Sequence, residues 1–185
     1  MKSGNSHPYV ELARRAVKYY FQTKKILNPG EAVTICPNQE IWNKRRGCFV
    51  SIKNLDGSLR GCIGTIRPVR EDLSSEIVYN ALAAAFEDPR FMPLREEELE
   101  KVKFSVDVLS ELEIVDSTEK LDPKIYGVVV EKGFRKGVLL PNLDGVNTVA
   151  EQLEIAARKA GILSLDGCVI YKFTVDRYEE VIEGK

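Results

Sequence analysis

The sequence is poor in the side chains that bind transition metals and transfer protons. It has one histidine, His7, and four cysteines, none of which forms a Cys-x-x-Cys pair. Zinc sites use cysteine and histidine ligands at recognised spacings, so we expect no bound metal or other cofactor. A catalytic cysteine–histidine pair would need His7 to fold back from near the start of the chain, and we expect none.

The sequence also lacks long apolar runs and a strong net charge. No run approaches the roughly 20 apolar residues that span a bilayer, and the start, Met1 to Ser6, lacks the apolar stretch of a signal peptide. We therefore expect a cytoplasmic protein with reduced cysteines. The formal net charge of the 185 residues is −1, which predicts no general attraction to nucleic acid or to an anionic membrane.

Short runs in which apolar and polar residues alternate predict most of the regular structure. Asp56-Gly57 between two such runs is a strong hairpin signal, and hairpins outnumber helical crossovers along the chain. We therefore expect an α+β fold, with mainly antiparallel sheets flanked by helices. The predicted strands cover residues 31–37, 48–64 with their turn, 102–109, 126–131, 137–140 and 168–175, and the predicted helices cover residues 8–22, 71–87 and 148–159.

The segment Leu59 to Thr65, LRGCIGT, places Cys62 between two glycines just after the first hairpin turn. Alternation predicts that Cys62 shares a polar strand face with Ser51, Lys53 and Arg60. A neighbouring arginine favours the reactive thiolate, so Cys62 and Arg60 are the candidate catalytic residues. The alternative is a small residue packed under a helix, with Arg60 in a structural ion pair.

Further residues are candidates for ligand binding. Gly61 and Gly64 allow close approach of a substrate or of another backbone segment, and Thr65 ends a segment that forms either an anion-binding nest or a plain loop. Asp88 and Arg90 form either a pair that faces a cleft or a salt bridge that locks a helix end.

Asp107 lies out of phase with the apolar residues of its strand. Exposure to solvent is therefore the default expectation for its carboxylate. If that face lines a cleft, Ser105 and Asp107 could instead supply a general base.

The LRGCIGT segment resembles the signature of the AMME-syndrome candidate-region protein family, whose prokaryotic members are called AmmeMemoRadiSam system protein A. Residues 88–93, 104–110, 126–141 and 151–162 resemble further blocks of that family, in the same order. The resemblance implies a single family domain over residues 1–185. It also implies a larger lobe that holds both termini, a smaller inserted lobe, and a cleft between the two.

The resemblance implies no firmly assigned reaction. It implies association with a Memo-like protein, which has a dioxygenase fold, and with a radical-SAM protein. Two hypotheses follow for this chain. It is an enzyme or enzyme subunit acting on a small polar or anionic substrate at a cleft around Cys62, or it is a non-catalytic adaptor that binds a ligand or a partner protein.

Overall fold

The computed structural model describes residues 6–181, and this part of the chain divides into two compact units. One unit contains the described residues up to Val108 together with those from Arg177 onward, and the other is residues 109–176. The second unit is therefore inserted in the sequence of the first. The lobes and cleft that the family resemblance implies stay predictions.

The first unit consists of two helices and a four-stranded sheet. Its elements are α1 (Pro8–Thr23), β1 (Cys48–Asn54), β2 (Leu59–Gly64), α2 (Leu73–Phe86), β3 (Val102–Leu109) and β8 (Val175–Glu179). Helix α2 packs against strands β1 and β2, and helix α1 packs against α2. The sheet has the strand order β2-β1-β3-β8, and β1 is antiparallel to both β2 and β3.

The second unit has its own four-stranded sheet, one helix and a separate apolar core. Its elements are β4 (Glu113–Ile114), β5 (Gly127–Lys132), β6 (Arg135–Leu139), α3 (Val149–Lys159) and β7 (Val169–Phe173). The sheet has the order β4-β7-β5-β6, and helix α3 packs against β5 and β6. With these two sheets, the predicted α+β class is confirmed.

Two strand predictions were wrong. The strand expected at residues 31–37 is replaced by a 3₁₀ helix at Pro29–Thr34, because the Asn28 side chain accepts a hydrogen bond from the N–H of Gly30 and starts a helical turn. The final strand expected at residues 168–175 divides into β7 and β8, which belong to different sheets. Thr174 lies between these two strands, and its hydrogen bonds with Ser110 hold it in place.

The first sheet and helix α2 approach each other so closely that only glycine fits at residue 61. A Cβ atom on Gly61 would lie 2.1 Å from the carbonyl oxygen of Ala84. The second unit repeats this arrangement, since a Cβ on Gly137 would lie 1.8 Å from the carbonyl oxygen of Ala156. The approach that Gly61 permits is therefore that of a helix backbone.

Replacing Gly61 with alanine should destabilise the protein, because the added methyl group has to push strand and helix apart. We expect Gly61→Ala to lower the free energy of unfolding by about 2–3 kcal/mol, measured by urea denaturation. Cys62→Ala is the matched control, because residue 62 points to the other face of the strand. Equal stability of the two variants would contradict the packing role.

Candidate thiol site on the first sheet

Three neighbouring strands place Cys62, Ser51 and Ser105 side by side on the sheet face opposite helix α2. Ser51 is the register partner of Cys62 on β2 and of Ser105 on β3. Its hydroxyl group donates a hydrogen bond to Sγ of Cys62 at 3.1 Å. Cys62 is a free, partly exposed cysteine. The structure thus brings the thiol and the Ser51 hydroxyl together on one polar face, as strand alternation predicts.

The Asp88–Arg90 pair satisfies the outer edge of strand β2 at Cys62. The Cys62 N–H donates to Oδ2 of Asp88 at 2.9 Å, and Nη2 of Arg90 donates to the Cys62 carbonyl oxygen at 3.1 Å. These are the two backbone groups that a further strand would otherwise bind. The salt bridge after helix α2 therefore also fixes the backbone of the candidate catalytic residue.

The Arg90 guanidinium is anchored along one edge, although the side chain as a whole is more than half exposed. Its Nε and Nη2 atoms bind Asp88 at 2.9 and 2.7 Å. The Arg90 guanidinium holds the pKa of the Asp88 carboxyl well below its usual range, and the Cys62 N–H adds to this effect. Asp88 in turn raises the pKa of Arg90, with a smaller contribution from Cys62. The Arg90 side chain is 55% exposed, whereas that of Asp88 is 2% exposed.

Asp107 carries a second arginine into the site. The expectation that Asp107 is exposed was wrong, since it is buried beside strand β8 and binds Arg177. Nε and Nη2 of Arg177 donate to the two carboxylate oxygens at 2.7 and 2.9 Å. Asp107 raises the pKa of Arg177, and Glu179 and Cys62 add to the rise. Sequence reasoning missed Arg177 because it did not predict the strand that carries it.

Arg60 points elsewhere because strand β2 contains a bulge. Lys53 of β1 is the register partner of Leu59, so Arg60 is an extra residue in its strand. Its guanidinium binds Glu98 at 2.9 and 3.1 Å and the carbonyl oxygen of Met92 at 2.9 Å. The Arg60 guanidinium lowers the pKa of Glu98 to about 2. The expected proximity of Arg60 to the thiol is thus replaced by an ion pair with Glu98.

Gly64 and Thr65 hold the end of the LRGCIGT segment in place. A Cβ on Gly64 would lie 2.4 Å from the ring of Phe49. The Thr65 hydroxyl donates to the buried Glu76 carboxylate at 2.7 Å, and the Thr65 N–H donates to the Cys48 carbonyl oxygen at 3.0 Å. The Thr65 hydroxyl and N–H are both bound to other parts of this chain. This arrangement corresponds to the plain-loop alternative and not to an anion-binding nest.

The remaining candidates for thiol chemistry lie in other surroundings. Burial raises the pKa of Cys48 to about 12. The His7 ring stacks on Tyr178 at 4.0 Å, and its Nδ1 accepts the Tyr9 N–H at 3.3 Å. Across residues 6–181, no group of three or more histidine, cysteine, aspartate or glutamate side chains could hold a metal ion. In the same residues, no helix is long and apolar enough to cross a membrane.

Two antiparallel sheets flanked by helices make this an α+β protein. The AMMECR1 family model matches residues 10–182, and this chain belongs to that family. A Thermotoga maritima protein is 49% identical over 174 residues, which cover 94% of this chain and 98% of that protein.

Two further relatives extend the comparison. The chain is 48% identical over 182 residues to Protein CA_C1420 of Clostridium acetobutylicum, a match that covers 97% of this chain but 37% of that protein. The crystal structure of Uncharacterized Protein PH0010 from Pyrococcus horikoshii has a TM-score of 0.83 and 31% identity to this chain. That match covers 97% of this chain and 93% of the Pyrococcus chain.

The Asp88 carboxyl should contribute to stability in a pH-dependent way. Its pKa is lower in the folded protein than the unfolded value of about 3.9. Its stabilising effect is therefore present at neutral pH and is lost as the pH falls through the folded-state value. We expect the free energy of unfolding of the unmodified protein to fall more steeply between about pH 5 and pH 2 than that of Asp88→Asn.

Urea denaturation at a series of pH values measures this difference. Asp144→Asn serves as a control, because Asp144 is exposed on the surface. If the Asp88→Asn curve runs parallel to that of the unmodified protein across this pH range, Asp88 does not have the role assigned here.

Proposed function

We propose that this protein is an enzyme, or the subunit of an enzyme, that acts on a small polar or anionic substrate at the surface around Cys62, with the thiol as its candidate nucleophile. One observation carries the proposal. The partly exposed thiol accepts a hydrogen bond from Ser51 and lies within electrostatic reach of both Arg90 and Arg177. Cysteine attacks as its thiolate, and in this proposal the two guanidinium groups hold an anionic substrate beside the sulfur atom.

Arg90 and Arg177 are suited to holding an anionic substrate beside the thiol. Each binds its aspartate through Nε and Nη2, and among residues 6–181 no group accepts a hydrogen bond from Nη1 of either side chain. A guanidinium that is already fixed loses little conformational freedom when it binds a carboxylate or phosphate. In this proposal Cys62 is the catalytic residue, and the two arginines bind the substrate.

The aspartates and Arg60 have supporting roles in the proposal. Asp88 and Asp107 are positioning residues, because each orients one arginine. Arg60 holds the segment that precedes Cys62 through its ion pair with Glu98. Gly61 permits the packing of β2 on helix α2, and this packing turns the thiol to the opposite face.

A non-catalytic adaptor is the second candidate function, and one observation favours it. Among the described residues, the only hydrogen-bond partner of the Cys62 thiol is a hydroxyl group, so no imidazole or carboxylate takes up its proton directly. A catalytic thiol here would release its proton to water. A ligand-binding site would need no such transfer.

The partners implied by the family resemblance, a Memo-like protein and a radical-SAM protein, belong to this proposal as well. The Clostridium acetobutylicum relative, of which this chain covers 37%, shows that a similar domain also occurs within a longer chain. Binding would be measured by size-exclusion chromatography of the purified proteins, alone and mixed.

Alkylation with reagents of different charge tests the thiol site. The folded protein is treated with equal concentrations of iodoacetate, an anion, and iodoacetamide, which is neutral, and the adducts on each cysteine are counted by mass spectrometry. Guanidinium groups raise the local concentration of anions. We therefore expect an iodoacetate-to-iodoacetamide ratio at Cys62 about tenfold higher than at Cys36 or Cys168.

Arg90→Gln and Arg177→Gln should each lower this ratio, whereas Arg158→Gln in the second unit should leave it unchanged. Equal ratios at Cys62, Cys36 and Cys168 would rule out the substrate-binding role of the two arginines. A Cys62 thiol that reacts with neither reagent in the folded protein would overturn the proposal that Cys62 is a nucleophile and would favour the non-catalytic adaptor function.

A further inference from the structure

Two lysines face each other on the same sheet face as the thiol. Lys53 on β1 and Lys103 on β3 are direct register partners. They lie two residues beyond the pair Ser51 and Ser105, which corresponds to roughly 7 Å along the strands. Like charges directly opposite each other destabilise a sheet. Within residues 6–181, neither ammonium group has a carboxylate partner that would offset this cost.

A cavity of about 210 Å³ opens between these lysines and Ser105. Ser105 is 8% exposed, and its hydroxyl has no hydrogen-bond partner among the described residues. Two positive charges and one hydroxyl group therefore line the same cavity, and all three are suited to binding oxygen atoms of an anion.

Two glutamates also line the cavity, and they differ in what they bind. The Glu180 carboxylate accepts hydrogen bonds from Arg14 and, at 2.9 Å, from the N–H of Phe104. Glu180 is thus neutralised by Arg14. Glu179 is the remaining negative charge, and against two lysines it leaves the cavity with an excess of positive charge.

We propose that Lys53, Lys103 and Ser105 form a subsite for a phosphate group of the substrate. Two ammonium groups match the double negative charge of a phosphate monoester, and lysine is a common phosphate ligand. This inference rests on the proposed function, because the substrate phosphate would bind in the subsite while another part of the substrate reaches the Cys62 thiol. Cys62, Ser51 and Ser105 lie side by side on three adjacent strands, so the thiol and the subsite share one face of the sheet. A substrate that reaches both spans roughly 10 Å, or two strand spacings.

Isothermal titration calorimetry of the full chain with inorganic phosphate tests the subsite. We expect saturable binding that Lys53→Gln and Lys103→Gln each weaken about tenfold, because each removes one charge-assisted hydrogen bond. Lys18→Gln, on the exposed surface of helix α1, should leave the affinity unchanged. Glu179→Gln should strengthen binding, and acetate should bind more weakly than phosphate.

The same variants give a second readout, thermal unfolding. Without phosphate, Lys103→Gln should raise the unfolding midpoint, because it relieves the repulsion with Lys53. With phosphate, the unmodified protein should gain more stability than the variant. A lysine pair that binds no phosphate would show the gain without phosphate, but phosphate would then stabilise the unmodified protein and the variant equally.

Cys62→Ala separates this inference from the proposed function. The variant lacks the thiol, and it should bind phosphate as tightly as the unmodified protein. No saturable phosphate binding, or full affinity in the Lys53→Gln/Lys103→Gln double variant, would overturn the subsite whatever the alkylation result. Phosphate binding together with an unreactive Cys62 would support the phosphate subsite and would overturn the nucleophilic role of Cys62.

Discussion

The close contact between Gly61 and the backbone of helix α2 is the constraint on which the thiol site depends. Side chains alternate along a strand, so a glycine pressed against the helix at residue 61 directs residue 62 to the opposite face. No side chain at residue 61 could take part in chemistry without separating strand and helix. Gly61 thus serves packing against helix α2, whereas Cys62 lies on the sheet face that is turned away from this helix.

Buried carboxylates then place the positive charges around that face. Asp88 and Asp107 each bind an arginine through two hydrogen bonds. The arginines near Cys62 are consequently fixed in direction, and their outer nitrogen atoms face away from the aspartates.

The sequence predicted the parts of this site that depend on local pattern. Alternation on either side of the Asp56-Gly57 turn placed Cys62 and Ser51 on a common face, and the register of β1 and β2 agrees. The role of Arg60 was not predictable, because a bulge is set by how two strands pair and leaves little trace in one strand's sequence. Burial of Asp107 depends on a strand that follows some 70 residues later in the chain.

The ion pair between Asp107 and Arg177 has a consequence for how the site forms. Its two residues are 70 positions apart, and the second unit with its own core lies between them in sequence. During synthesis the first three strands of the sheet emerge long before β8 does. The guanidinium of Arg177 therefore joins the thiol only after the whole inserted unit has been made. A prematurely terminated chain would carry the cysteine and its motif without the Asp107–Arg177 ion pair beside them.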